Sequence, residues 1–397
     1  MNPDRDALIA GIAADPDNDL RRLVVADWLD EHDEHTRAEF VRLQIEAERL
    51  TDAAELKPLH ARIKELFTAH AADWFGPFLT ALNPMCSLAE YFFNPVEATN
   101  CVISSPQGPR GFYGAFVRRG FVESLTLDLA EFLAGGSIDA ALLTEPVSRL
   151  IAYVSANPQD WTRFSEPGLR HLRELHLMEY TATGSSTGCR PAFNDSHLPA
   201  VRTFVLELHD STAGQSRPVP VPIMQLFANS PMAYRVTDLE IRLNDAGLRA
   251  LCRSDRLRLD KLTVRGTITP AGVRLLNAAP FAPALRSLTL YVGLTDEGAA
   301  SLARATRFTR LTELDLRGNA LTDAGLRALA VARFLPQLEV VDLSENHLEP
   351  DDTAPGLRAI ADALNPDALR ELRLTYAGFV TPPAFLTDRF GDRVIVC

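Results

Sequence analysis

Lysine is scarce in this sequence, which has only Lys57, Lys64 and Lys261 against 37 arginines. The formal net charge is -12, so the chain lacks the basic excess with which general nucleic-acid binders neutralise phosphates. Much of the acidity lies in residues 1–75, which carry 17 acidic and 9 basic side chains. Nucleic acid is therefore not an expected partner.

Paired cysteines and long apolar runs are also missing. The five cysteines form no CxxC pair, which argues against a disulfide framework or a zinc site; they are Cys86, Cys101, Cys189, Cys252 and Cys397. No basic, apolar leader follows Met1. The two longest uncharged stretches, 74–89 and 218–234, are short and interrupted by prolines. These features predict a cytoplasmic protein with no membrane partner.

Leucines recur at a fixed spacing in the second half of the chain. Residues 311–321 read LTELDLRGNAL, which fits the pattern LxxLxLxxNxL at every position. The third apolar position of this core falls at residues 241, 264, 290, 316 and 343, at intervals of 23, 26, 26 and 27 residues. A further copy ends at 374, looser copies end at 127, 177 and 206, and a degenerate one is expected around 147–154. Residues 121–397 therefore hold about nine or ten repeats.

Each repeat is predicted to form a strand, a loop and a helix. The last two apolar residues of the core alternate with a polar residue, as in a strand buried on one face. Asn244, Thr269, Thr295 and Thr322 follow as N-cap residues, each with a glycine three positions later. We expect that glycine to permit a close approach of the backbone.

The repeats resemble those of leucine-rich-repeat proteins of the ribonuclease-inhibitor-like type. This resemblance implies an α/β solenoid with parallel strands on its concave face and helices on its convex face. Its repeats are less uniform in length than those of the family, and the loop asparagine is present only as Asn319 and Asn346.

Residues 1–77 are predicted to form a separate, all-α module of three or four short helices. The strings DPDND at 15–19, LVVADWL at 23–29 and RAEFVRLQ at 37–44 resemble the bacterial repeat-companion domain that precedes leucine-rich repeats. Residues 78–120 then form a joining segment or insertion. This resemblance implies an architecture and no activity.

Candidate chemistry is sparse. His32 and His35 lack the spacing of a zincin helix, and the acidic residues at 15–19 lack the glycine and glutamate of a calcium loop. The glycines at 108–114 are not followed by Lys-Ser or Lys-Thr, as a phosphate loop requires. No catalytic triad is evident. We therefore expect a non-enzymatic protein without a metal or cofactor.

The concave face is the predicted site of recognition, because polar residues that alternate with the buried leucines point to solvent there. Its mixed charge suits a protein partner, and Tyr291 between two arginines is the best single anchor. The residues predicted to bind the partner are Asp238, Glu240, Arg242, Lys261, Arg265, Tyr291, Glu313, Asp315, Arg317, Asp342 and Arg373.

Two other functions remain open from the sequence. The segment 78–120 could bind a nucleic acid or a small ligand, or form an enzyme site, because arginines lie beside aromatic residues there; these residues are Arg110, Arg118, Arg119, Phe112, Tyr113 and Phe116. Alternatively, the repeats could act as a sensor and the helical module as a recruiter.

Overall fold

The computed structural model describes residues 3–82, 92–95, 101–104, 112–128, 145–154, 167–181, 193, 198–210, 215–348, 354–375 and 381–396. The chain divides into two compact units. The amino-terminal unit comprises Met1–Tyr180 and Thr187–Val201, and the carboxy-terminal unit comprises Thr181–Ser186 and Arg202–Cys397. No helix in these described ranges is both long and apolar enough to cross a bilayer.

The amino-terminal unit begins with four helices, as the periodic apolar residues predict. They are α1 (Pro3–Ala14), α2 (Asp19–Glu31), α3 (His35–Arg49) and α4 (Ala53–Leu82). The prediction of short helices is wrong for α4, which has 30 residues and continues through Pro77. Its buried stripe runs on through Phe75, Phe78 and Leu79, so burial of these side chains outweighs the break that Gly76-Pro77 suggests.

The helices share a core with the first strand of the repeat region. Ile12, Val25, Leu29 and Val41 are fully buried and pack together with Phe121. Phe121 lies more than 70 residues beyond the end of α3 and still packs against these helices. The helices and the strand that contains Phe121 therefore belong to one packed structure.

A sheet of six strands completes the described part of the amino-terminal unit. Strands β1 (Phe92–Pro95), β2 (Cys101–Ser104), β3 (Phe112–Arg118) and β4 (Phe121–Asp128) are antiparallel neighbours. Strands β5 (Arg149–Val154) and β6 (Glu174–Thr181) continue the sheet in parallel with β4. The first three strands lie within the predicted joining segment, residues 78–120, and β5 lies where the degenerate repeat is expected.

The carboxy-terminal unit contains parallel strands in chain order. These are β7 (Thr203–Asp210), β9 (Asp238–Asn244), β10 (Lys261–Thr267), β11 (Ser287–Tyr291), β12 (Glu313–Asp315), β13 (Val340–Asp342), β14 (Glu371–Arg373) and β15 (Val394–Ile395). The short strand β8 (Ser216–Arg217) pairs antiparallel with β7. Helix α5 (Val221–Ala228) lies between β8 and β9 in the chain. One helix then follows each strand from β9 to β14; in order they are α6 (Asp245–Cys252), α7 (Pro270–Ala278), α8 (Asp296–Ala303), α9 (Asp323–Leu329), α10 (Pro355–Ala363) and α11 (Ala384–Phe390).

The leucine spacing explains this architecture. Leu314 and Leu316 of the best-matching repeat are buried, and so are Leu326 and Leu329 of the helix that follows. The strand residues and the helix residues thus bury their apolar sides, while the residues between them reach the opposite face of the sheet. The predicted leucine-rich-repeat solenoid is confirmed for this unit.

The predicted helix caps are confirmed as well. The side chain of Asn244 accepts a hydrogen bond from the backbone N–H of Gly247 at 3.0 Å. Thr322 accepts one from the N–H of Ala324 at 3.2 Å. Each cap satisfies a backbone donor that the first helical turn leaves unpaired.

The glycine of the cap motif accommodates a link between successive helices. The Asp296 carboxylate of α8 accepts hydrogen bonds from the N–H and the hydroxyl of Thr322, at 2.9 and 2.6 Å. A Cβ atom on Gly325 would lie 2.2 Å from this carboxylate. Asp245 contacts Thr269 and Gly272 in the same way, so the aspartate of one repeat binds the cap of the next.

Candidate functional site

The candidate site is the helix-free side of strands β9–β14, here called the strand face. Parallel pairing in register carries corresponding residues of successive repeats into lateral rows. Asp238 lies opposite Lys261, and Lys261 lies opposite Ser287. The next strand along this row contributes Glu313, which pairs with Ser287 and Val340. This row therefore carries charges of both signs, with uncharged residues between some of them.

A second row contains three acidic residues, Glu240, Asp315 and Asp342. Glu240 lies opposite Thr263, and Asp315 lies between Thr289 and Asp342. Arg373 ends the row opposite Asp342. The third row holds Arg242, Arg265 and Tyr291 as direct neighbours. Ten of the eleven predicted residues thus lie in strands of the strand face, and Arg317 follows β12 two residues after its end.

Tyr291 is the exposed aromatic residue at the centre of the strand face, with 39% of its surface accessible. The guanidinium carbon of Arg265 lies 5.9 Å from its ring centroid, within the range of a cation–π contact. Arg265 is itself held by a 2.6 Å ion pair with Glu240. The Arg265 side chain is thereby placed beside the ring.

The other edge of the Tyr291 ring lies against the backbone of Gly318. A Cβ atom at this position would come within 1.9 Å of a ring carbon, and Gly318 has a φ of +66°. Both facts require glycine here. Sequence reasoning did not identify Gly318 as part of the site, although it directly follows Arg317 in the best-matching repeat.

Two neighbouring carboxylates, Asp315 and Asp342, form the acidic part of the strand face. The prediction that Asp342 points to solvent is wrong, because only 5% of its surface is accessible. Its carboxylate accepts the Ser344 N–H at 2.9 Å, so it serves the loop that follows β13. Burial raises the pKa of the Asp315 carboxyl, and the charge of Asp342 adds to this effect, while the Arg317 N–H opposes it.

Arg373 balances this acidic pair on one side. Its Nη1 atom lies 3.9 Å from Asp342, and its Nε atom lies 2.6 Å from Glu371. The hydrogen bond with Glu371 raises the pKa of Arg373. Glu371 contacts a predicted site residue and faces the same side, so it belongs to the site although it was left out of the predicted set.

The arginines of the predicted joining segment pack against the helices. Arg119 is almost fully buried and lies 3.3 Å from Asp19 and 3.2 Å from Glu123. Arg118 forms a 2.6 Å ion pair with Glu48. These guanidinium groups are therefore engaged by carboxylates, which weakens the base-stacking hypothesis. Arg110 and the side chains of Phe112 and Tyr113 lie outside the described residues.

A second buried ion pair joins the helices to the sheet. Arg37 lies 2.8 Å from Glu145, and both side chains are at least 98% buried. The Glu145 carboxylate also accepts the Val122 N–H at 2.9 Å. Burial raises the pKa of this carboxyl, and Arg37 acts in the opposite direction.

The cysteines give no sign of redox or metal chemistry where they are described. Cys101 and Cys252 are buried free thiols, and burial raises the pKa of each to about 12. Among the residues that the structure describes, no group of three or more His, Cys, Asp or Glu side chains is arranged to hold a metal ion.

Comparison with known proteins finds the repeat in sequence. Residues 309–330 match the leucine-rich repeat family. This segment contains both strand β12 and helix α9. No curated protein matches the chain in sequence.

Several solved structures are similar to the chain at low identity. A protein of Bacteroides fragilis is 14% identical, with a TM-score of 0.36, and the match covers 75% of this chain and 89% of that one. An internalin of Listeria monocytogenes is 14% identical, with a TM-score of 0.33 and coverage of 69% and 86%. A chain of the yeast Rad7–Elc1 complex is 12% identical, with a TM-score of 0.30 and coverage of 93% and 88%. The family match and the strand–loop–helix units of the carboxy-terminal unit together show that this unit is built of leucine-rich repeats.

Proposed function

We propose that the chain is a non-catalytic scaffold that recognises a protein partner through the strand face. The observation that carries this proposal is the placement of Tyr291 there. Tyrosine and arginine are the residue types that most often dominate binding energy at protein interfaces. Tyr291 offers a large, half-exposed ring whose position is fixed by Gly318 and Arg265.

The charges around Tyr291 support a protein partner over a polyanion. Arg242 and Arg265 lie in its row, and the neighbouring row contains Glu240 and Asp315. A polyanion would be repelled by the carboxylates, whereas a protein surface can present complementary charges of both signs. The strand face therefore favours recognition by patterned charge around an aromatic anchor.

The experiment is a quantitative pull-down from the native cell with the full chain. The test variant combines Tyr291→Ala with Arg317→Glu, which removes the ring and reverses a charge beside it. A matched control combines Tyr234→Ala with Arg256→Glu. Tyr234 is 56% exposed and lies 5.4 Å from the Arg256 guanidinium carbon, but neither residue belongs to the strand face.

The partner is expected to be lost from the test variant and retained by the control. Circular dichroism and thermal melting establish that both variants are folded. Equal recovery of the partner by wild type and a folded test variant would overturn the proposal. Equal loss from both variants would also overturn it, because the loss would then follow from charge reversal anywhere on the unit.

We further propose that residues 1–77 act as a companion module of the bacterial type and that the protein works in the cytoplasm. The four helices and their packing against Phe121 support the first proposal. The buried free thiols of Cys101 and Cys252 suit a reducing compartment and support the second. Fractionation of the native cell tests the compartment.

A further inference from the structure

A groove lies between helices α5 and α6 of the carboxy-terminal unit, on the helical side of the repeats. Its volume is about 390 Å³, within the range of small-molecule sites. One wall carries Gln225 of α5 and Asn229, the C-cap residue of that helix. The other wall carries Arg249 of α6 and Arg253, its C-cap residue. The small side chains of Ala246 and Ala250 leave the space between the walls open.

The ends of the two helices are joined, so the groove has a fixed width. The Ser254 hydroxyl donates a 2.6 Å hydrogen bond to the carbonyl of Ala228 at the end of α5. The Asn229 side-chain amide donates to the Gln225 carbonyl at 2.7 Å. The Ser254 bond connects the ends of the two helices, and the Asn229 bond lies within the end of α5. Neither bond uses the guanidinium group of Arg249 or Arg253.

The two arginines of the groove have no partner among the residues that the structure describes. Both side chains are exposed, and they stand four positions apart, which places their Cβ atoms about 6 Å from each other on one face of a helix. The described lining contains no carboxylate. The groove therefore concentrates two positive charges in a protein whose net charge is -12.

A larger cavity in the amino-terminal unit differs from the groove, because the charged side chains that line it are paired. Its volume is about 560 Å³, and its lining includes Arg118, Glu123, Arg149 and Glu174. Arg118 is paired with Glu48 at 2.6 Å, Arg149 with Glu174 at 3.3 Å, and Glu123 with Arg119 at 3.2 Å. Every charge of that lining is compensated, so the cavity offers a ligand no unmet charge.

We propose that the α5–α6 groove binds a small anion with two phosphate or carboxylate groups through Arg249 and Arg253. Guanidinium groups bind phosphate and carboxylate oxygens with two parallel hydrogen bonds, and two such groups can hold two oxyanion groups of one ligand. The Gln225 carboxamide stands on the opposite wall and adds a polar group to the site. This site is separate from the strand face and does not depend on its function.

Isothermal titration calorimetry at low ionic strength tests the proposal with the full chain. Pyrophosphate and citrate are the two probes, since one carries phosphate and the other carboxylate groups. The test variant is Arg249→Ala with Arg253→Ala. The matched control is Arg304→Ala with Arg310→Ala, which removes the same charge at two exposed positions outside the groove lining.

Wild type is expected to bind at least one probe, and the groove variant is expected to bind it at least ten times more weakly. The control variant and the strand-face variant Tyr291→Ala with Arg317→Glu should bind as wild type does. The probe that binds more tightly identifies the oxyanion class. The proposal is overturned if wild type binds neither probe, if the groove variant binds unchanged, or if the control variant weakens binding equally.

Discussion

Replacing Asn319 by alanine should weaken the repeats more than any exposed polar substitution. Only 5% of the Asn319 surface is accessible. Its Oδ1 atom accepts the N–H groups of Val292 and Leu294, at 3.2 and 2.7 Å. Its Nδ2 atom donates to the carbonyl groups of Leu290 and Leu316, at 2.6 and 2.8 Å. One side chain therefore satisfies buried backbone groups of two successive repeats.

The magnitude follows from the groups that Asn319→Ala leaves without this partner. Asn346 also donates to the Leu316 carbonyl at 2.9 Å, so that carbonyl keeps a donor. The N–H groups of Val292 and Leu294 and the carbonyl of Leu290 lose their hydrogen bonds to the Asn319 side chain. A buried polar group left unsatisfied costs about 1 to 3 kcal/mol. We expect the free energy of unfolding to fall by about 3 to 5 kcal/mol.

Urea unfolding, followed by circular dichroism, measures this loss. The matched control is Asn277→Ala, because the Asn277 side chain also accepts two backbone N–H groups, those of Thr306 and Arg307 at 2.9 and 3.0 Å. These groups are near solvent and can bind water instead, so the control should lose about 1 kcal/mol or less. Equal losses in the two variants would refute the argument from burial.

Three further substitutions test the structure. Leu316→Ala should lower the free energy of unfolding by about 2 to 5 kcal/mol in urea melts, because Leu316 is fully buried; a loss below about 1 kcal/mol would mean that the repeat phase is wrong. Gly325→Ala should cost about 1 to 3 kcal/mol, measured in the same way, because its Cβ would overlap the Asp296 carboxylate. Asp315→Asn should stabilise the protein above the raised pKa of Asp315, where the buried carboxylate is charged. This advantage should vanish as the pH falls below 3.8, the ordinary value, where both folded and unfolded Asp315 are protonated, and thermal melts across pH would measure it.

The repeats were predictable from the sequence because their causes are local. Buried leucines such as Leu314 and Leu316, and N-caps such as Thr322, act within a few residues, and their spacing recurs. The rows of the strand face were predictable as well, since repeats of nearly equal length pair in register. The sequence thus indicated which residues share a face.

The remaining features depend on contacts between distant residues. Arg37 pairs with Glu145 across 108 positions, and no local pattern marks either residue for burial. The burial of Asp342 follows from its bond to the loop after β13, which the alternation of strand residues does not reveal. The exposed arginines Arg249 and Arg253 have helical spacing, but only the structure shows the groove that they line.

The aspartate that links one helix to the cap of the next decides which repeats could be duplicated in tandem without loss of this link. The repeat that contains α8 supplies Asp296 to the following cap, and its own Thr295 and Gly298 occupy the positions that correspond to Thr322 and Gly325 of that cap. The repeat that contains α7 receives the bond from Asp245 through Thr269, but Pro270 stands where its own aspartate would be. A lengthened array could therefore be built by duplicating the α8 repeat, whereas tandem copies of the α7 repeat would lack a link at every new junction.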